Sequence, residues 1–264
     1  MPEPRPLATA AETVFRYVGS AFGAVAAAQI GDPLVGAAVG EVIGQAANDF
    51  ATRMLSVRQE RRVATVVELA AVRIGQRVRA GDSLRDDGLF DAVNAEATEI
   101  VEGVMLAARD EHQEKKLPYL ANLLTGIAFY SDVSVEAANL ILRDAEQMSW
   151  LEMCVLSIVH RSDEYPLPDH YLGDVTSWGD WPTKHAFRVL MSDMGYLFPP
   201  EKPRGPGDKL ALRDLRMSAI QLTNRGLLLS ALMGLDTIPA TDLEAIYASL
   251  VSAAAIDDEA STTP

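Results

Sequence analysis

The sequence predicts a mainly α protein: an N-terminal glycine-rich helical hairpin on an all-α bundle, followed by a small α+β domain. Three observations carry that expectation. Residues 19–44 hold a glycine ladder written twice. From about residue 50 to 160, apolar side chains recur at helical spacing, interrupted only by short turn signals. After Arg161 the texture changes to prolines, glycines and tryptophans with short strand-like stretches. The expected divisions are a hairpin over 1–49, a bundle over 50–162, a small mixed domain over 163–256 and a disordered acidic tail over 257–264.

Composition bounds the possibilities. A chain of 264 residues that is 48% hydrophobic can bury a substantial core. Its formal net charge of -14 argues against indiscriminate nucleic-acid binding by the whole molecule. The charge is uneven: residues 1–80 carry nine basic and seven acidic side chains, and 81–183 carry six and twenty. Residues 184–225 reverse this with eight and four, and 226–264 have none and six. The single Cys154 excludes a disulfide within the chain and reads as a buried, inert thiol. A cytoplasmic location fits. Met1–Pro6 has no basic start followed by an apolar core, so no secretory signal is expected. The uncharged stretch Tyr17–Gly31 is fifteen residues long, short of the ~18 an ordinary span needs. Membrane insertion would therefore be conditional, with recruitment to the inner face of the membrane.

Pro2, Pro4 and Pro6 delay the first helix to about Leu7. Gly19, Gly23, Ala27 and Gly31 then fall four apart, and Gly36, Gly40 and Gly44 repeat the spacing after the Gly31-Asp32-Pro33 turn. Residues four apart share one helical face, so each half presents a stripe nearly free of side chains. A helical glycine costs roughly 0.8–1 kcal/mol against alanine, and close backbone packing would offset that. The stripes meet each other, or copies in an oligomer or bilayer. The competing expectation is a tight crossing inside a soluble fold.

The second helix has no strong breaker from Leu34 to Val78, with Ser56 and Gly75 the weakest points. Arg53, Arg58, Arg61 and Arg62 stand at its centre, to meet either anionic lipid headgroups or acidic neighbours in the chain. Val63, Val66, Val67, Ala70, Ile74 and Val78 form its apolar face. Helices follow over Leu89–Glu114 (Phe90, Val93, Ala97, Ile100, Val104 and Ala108 inward), Leu117–Tyr130, Val135–Met148 (Ala138, Leu140, Ile141 and Ala145 inward) and Ser149–His160. Further on, Thr183 is expected to cap a helix over Lys184–Met194. Tyr196–Phe198 and Met217–Leu222 read as strands, Thr223 opens a helix over Leu227–Leu235, and Leu243–Ala254 is the last amphipathic helix.

The order helix, strand, loop, strand, helix resembles a winged helix. The residues that carry the resemblance are LMSDMGYL (190–197) and IQLTNRGLLLSALMG (220–234), similar to stretches in many bacterial winged-helix proteins. The resemblance implies a groove-entering helix with Lys184, His185 and Arg188, and a loop with Lys202, Arg204 and Lys209. These six residues are the candidate nucleic-acid or partner contacts. Asp193, Glu201, Asp208 and Asp214 interleave with them, so a protein-docking module is as natural as a DNA reader. Trp178 and Trp181 are expected to pack into the core, or else to make a protein contact.

No catalytic signature appears: there is no phosphate loop, no G-x-S-x-G, no H-E-x-x-H and no paired cysteines. Glu96, Glu99 and Glu102 share a helix face but lack histidine partners, so a solvated acidic face is expected. No enzyme activity, cofactor, metal or small-molecule substrate is expected.

Residues 19–47, followed by the helices to about 160, resemble bacterial HeLo-like (Bell) membrane-active domains and related glycine-zipper defence effectors. That resemblance implies a regulated membrane-perturbing protein, with Gly19, Gly23, Ala27, Gly31, Gly36, Gly40 and Gly44 as its helix-packing and assembly residues. No amyloid-like signalling motif is recognisable. Three functions stay open: a self-assembling membrane-directed effector, with phage defence as its expected setting; a helical scaffold or adaptor that oligomerises; and a winged-helix DNA-binding regulator.

Overall fold

The structure is a computed structural model that describes position 42 and residues 56–89, 95–173, 178–198 and 215–261, with side chains as far as Val251. The chain is mainly helical, with one small two-stranded sheet among the described residues, and it divides into two compact units, Met1–Gln147 and Met148–Pro264.

In the first unit, α1 spans Val57–Ala80. Ser56 starts it with a capping box: its hydroxyl accepts from Gln59 N, and Ser56 N donates to Gln59 Oε1. This settles the break at Ser56 and leaves Gly75 inside the helix. Gly81, at φ +100°, ends it in the left-handed conformation that glycine adopts without penalty. Val63, Val66, Val67, Ala70, Ile74 and Val78 are all buried, at the spacing of one helical face. Each large aliphatic among them contributes about 2 kcal/mol by leaving water.

That face packs on α2 (Ala95–Asp110) and α3 (Leu117–Phe129), and α4 (Val135–Gln147) covers α2 from another side. α3 is apolar around most of its circumference, with Leu120, Leu123, Leu124 and Ile127 buried, as befits the helix at the centre of a bundle. Two expectations change here. α2 stops at Asp110, and Glu114 belongs to a separate 3-10 turn, Glu114–Lys116. Leu140 of α4 is exposed, whereas Leu142 is buried; the inward face follows Ala138, Ile141, Leu142 and Ala145. Phe90 and Val93 lie outside the described residues.

Arg85 ties the loop after α1 to the end of α3. Its side chain is 3% exposed, and it donates to the carbonyls of Ile127 and Val133 at 3.1 Å each. Asp87 meets the other edge of the guanidinium, which holds the Asp87 carboxyl below its ordinary range. A last-turn carbonyl of α3 and a loop carbonyl just beyond the helix are thereby satisfied.

The second unit is built around α5 (Trp150–His160), a helix the sequence places in the bundle. Ser149 caps it with Glu152 in a second capping box. Met153, Cys154, Val155, Leu156, Ile158 and Val159 are buried, Cys154 outside any disulfide. α6 (Trp181–Arg188), α7 (Asn224–Met233) and α8 (Ala240–Ser261) pack around it. Thr183 does not cap α6; the helix begins at Trp181 with Pro182 in its first turn, and after Arg188 it widens into a π turn over Val189–Asp193. β1 (Leu197–Phe198) pairs antiparallel with β2 (Gln221–Leu222). Residues 217–219, expected in a strand, form a 3-10 turn instead. Upstream, Tyr171 bridges Arg216, and Leu172 N donates to Leu215 O at 2.8 Å.

The LTNRG stretch acquires a physical reading. Thr223 caps α7, its hydroxyl accepting from Gly226 N at 3.1 Å and donating to Gly195 O at 2.9 Å. Gly226 is required because the carbonyl of Tyr196 stands where a side chain would begin: an added Cβ would lie 2.4 Å from that oxygen. Helix α8 runs to Ser261, through Asp257, Asp258 and Glu259, where the sequence predicts an unstructured tail.

Candidate functional site

α1 opens with three cations, Arg58, Arg61 and Arg62, in its first two turns. A helix N-terminus already carries partial positive charge, so this placement needs an anion nearby. Glu114, from the turn that leads into α3, supplies it. Its Oε1 accepts from Arg58 Nε at 3.1 Å, and its Oε2 accepts from Arg61 Nη2 at 3.1 Å. Arg62 Nε stands 3.6 Å from Oε1, beyond hydrogen-bond reach. The hydrogen bond from Arg58, helped by the charge of Arg61, holds the Glu114 carboxyl below its ordinary range.

The three arginines differ in setting. The Arg58 and Arg61 side chains are 67% and 70% exposed, and that of Arg62 is 10% exposed. Arg62 Nη1 donates to Arg109 O at 3.3 Å, but its buried Nε has no hydrogen-bond partner. Just behind, Glu111 and Lys116 form a sealed ion pair, and Lys116 Nζ also donates to Glu146 O at 3.3 Å. Burial, aided by the charge of Asp110, pushes the Glu146 carboxyl up. The cluster can hold an oxyanion. Glu114, fully ionised near neutrality, cannot serve as a proton donor there.

The sequence leaves two fates open for the arginine cluster, lipid or acidic neighbours. In the folded chain Arg58, Arg61 and Arg62 face an acidic neighbour; Arg53 lies outside the described residues. Sequence reasoning missed Glu114 as the hub, because fifty-odd residues separate it from the arginines. Only the density of charge in Glu111–Lys116 hinted at it.

In the second unit, Lys184, His185 and Arg188 do share one helix. Lys184 Nζ lies 3.0 Å from Asp180 Oδ2, and Arg188 Nη1 lies 3.3 Å from Asp193 Oδ2. Arg188 also meets His185 Nδ1 at 3.2 Å. Lys202, Arg204 and Lys209 lie outside the described residues. Arg216 pairs with Asp169, whose carboxyl is held low by a hydrogen bond from Ser218 and by Arg216.

Trp178 and Trp181 do not pack into the core. Trp178 is 87% exposed and sits edge-on to Trp181 with ring centroids 6.0 Å apart; Trp181 in turn lies 5.3 Å from the His185 ring. The turn before α6 is therefore an aromatic edge open to solvent.

Gly19, Gly23, Ala27, Gly31, Gly36, Gly40 and Gly44 all lie outside the described residues. Val42, between the last two, is helical and buried. Glu96 and Glu99 are exposed, and among the described residues no three His, Cys, Asp or Glu side chains gather as metal ligands. Among those residues, too, no helix is long and apolar enough to cross a membrane. Comparison with protein-family models, curated proteins and solved structures gives no match.

Proposed function

We propose that this protein is a non-enzymatic, self-assembling effector directed to membranes. Its glycine ladder is the assembly element, and the arginine-rich start of α1 guides it electrostatically. The observation that carries this reading is the pair Arg58 and Arg61, largely exposed at the head of a helix whose cap, Ser56, stands twelve positions after Gly44. A basic turn beside a segment of small apolar residues favours an anionic leaflet by about 1 kcal/mol per cation near the surface. The ladder glycines need close backbone contact to offset their helical cost, and neighbouring copies in lipid supply it. The protein waits in the cytoplasm and acts at the inner face of the membrane; a role in phage defence belongs to the same proposal.

Dye release from anionic vesicles tests this, comparing the full chain with Gly23→Leu and Gly40→Leu. Release that falls at least tenfold in both variants supports the reading; release unchanged by both counts against a glycine-dependent assembly.

A second reading is favoured by one observation, the 87% exposure of Trp178. An adaptor would use the Trp178–Trp181 edge to hold a protein partner, since aromatic anchors dominate such contacts. DNA recognition through α6 has less support, because the Lys184 side chain is only 13% exposed and faces Asp180.

A further inference from the structure

We propose that Arg58, Arg61 and Arg62 form a phosphate-binding site that Glu114 occupies in the resting protein. A phosphate group displaces the carboxylate and so unlatches the head of α1. The inference deepens the membrane-directed reading and rests on it for its consequence, though not for its chemistry.

Three guanidinium groups converge on one carboxylate, so three positive charges face one negative charge. Two oxygens accept from Arg58 and Arg61 and leave nothing in range of Arg62 Nε. That donor is on a side chain nine-tenths buried, makes no hydrogen bond, and is held only in an ion pair 3.6 Å from the same carboxylate. An unpaired buried donor is costly, and a protein keeps few of them. A phosphate group has more acceptor oxygens than a carboxylate and, as a monoester, nearly two negative charges. It can take the Arg58 and Arg61 hydrogen bonds and also satisfy Arg62 Nε. Arginine forks suit such oxyanions better than any other side chain.

The occupant is also easy to displace. Glu114 is held by Arg58 and Arg61 from largely exposed side chains, and ion pairs of that kind contribute little. The neighbouring carboxylates are engaged elsewhere: Glu111 with Lys116, and Asp110 with Arg109. Neither of those two carboxylates is therefore free to take the place of Glu114. The phosphate can come from a phospholipid headgroup or from a soluble phosphate monoester, and the two sources are separable.

The test uses the full chain, its Glu114→Gln variant and an Arg58→Ala/Arg61→Ala variant. Calorimetric titration with inorganic phosphate forms one arm. Flotation with vesicles, either pure phosphatidylcholine or three parts phosphatidylcholine to one part phosphatidate, forms the other. Glu114→Gln is expected to bind more tightly than the parent, by about tenfold. Removing the two exposed arginines should weaken vesicle binding about fivefold for each, or roughly thirtyfold for both. Both arginines are on the surface, so folding is not at risk, and circular dichroism verifies it.

Binding in the phosphate arm alone assigns the site to a soluble phosphate; flotation on phosphatidate vesicles alone assigns it to a headgroup. Either supports the site. No binding in either arm overturns it, and so does binding that persists unchanged without Arg58 and Arg61. Dye release is a separate readout: an unaltered chain that binds phosphate but causes no leakage counts against the membrane-directed reading and leaves this site standing.

Discussion

Replacing Gly226 with alanine sets two effects of known size against each other. On helix propensity alone, alanine would stabilise α7 by about 0.8–1 kcal/mol. The added Cβ, however, would lie 2.4 Å from Tyr196 O and 3.0 Å from Leu222 Cδ2. Ordinary contact needs about 3.5 Å, so α7 and the backbone at Tyr196 must part by about 1 Å. Tyr196 O also accepts from Thr223 N at 2.9 Å, and that bond lengthens with the shift. Overpacking of this kind costs about 1–3 kcal/mol, and a weakened hydrogen bond adds about 1 kcal/mol. The net expectation is a loss of roughly 1–3 kcal/mol, or a fall in melting temperature of about 3–10 °C. All three tryptophans, Trp150, Trp178 and Trp181, belong to the second unit, so fluorescence follows its unfolding. Gly103→Ala is the contrast: its Cβ would meet Leu142 Cδ2 at 2.7 Å, a side-chain end that can turn aside, and stability should change by less than about 1 kcal/mol. An unchanged or raised melting temperature for Gly226→Ala would refute the close approach.

Arg85→Met should destabilise the first unit by about 3–5 kcal/mol, because it leaves the Ile127 and Val133 carbonyls without their donor. Far-UV circular dichroism during urea unfolding reads this, and a loss under 1 kcal/mol would show that water replaces the guanidinium. The Glu114 carboxyl should titrate below the ordinary glutamate value near 4.3 when followed by carbon NMR. Since its folded value is depressed, its contribution to stability is present above the unfolded value and is lost as pH falls through the folded one. In Arg58→Ala the titration should move back up; no movement would mean that Arg58 is not the main cause. Trp178→Ala should leave stability within about 0.5 kcal/mol, since the ring is in solvent. A larger loss would return Trp178 to the core.

Much of the first unit was legible because one rule governs it. The buried face of α1 repeats at helical spacing, and Ser56 and Gly81 are chemically suited to begin and end a helix. Leu140 escaped that rule: Ile141 and Leu142 are equally apolar neighbours, and one residue of helical rotation decides which face looks inward. The strand read over 217–222 holds only at Gln221–Leu222, because Met217, Ile220 and Leu222 also fit a 3-10 turn followed by a two-residue strand. Thr183 was an attractive cap, but Pro182 has the fixed backbone angle suited to the first turn, and the helix starts around it. The Glu114 hub was out of reach, since ion pairs across fifty residues leave no local periodicity. The tryptophan edge was misjudged for the opposite reason: composition places tryptophan inside on average, and only coordinates reveal an exception.

The mass of the particle formed on anionic vesicles tests the central claim most directly. Cross-linked on phosphatidate-containing vesicles, the protein should run at multiples of its 28.5 kDa chain, and the Gly23→Leu/Gly40→Leu variant should collapse to the single chain. A particle that stays at one chain on those vesicles, or multiples that survive both leucines, would contradict it.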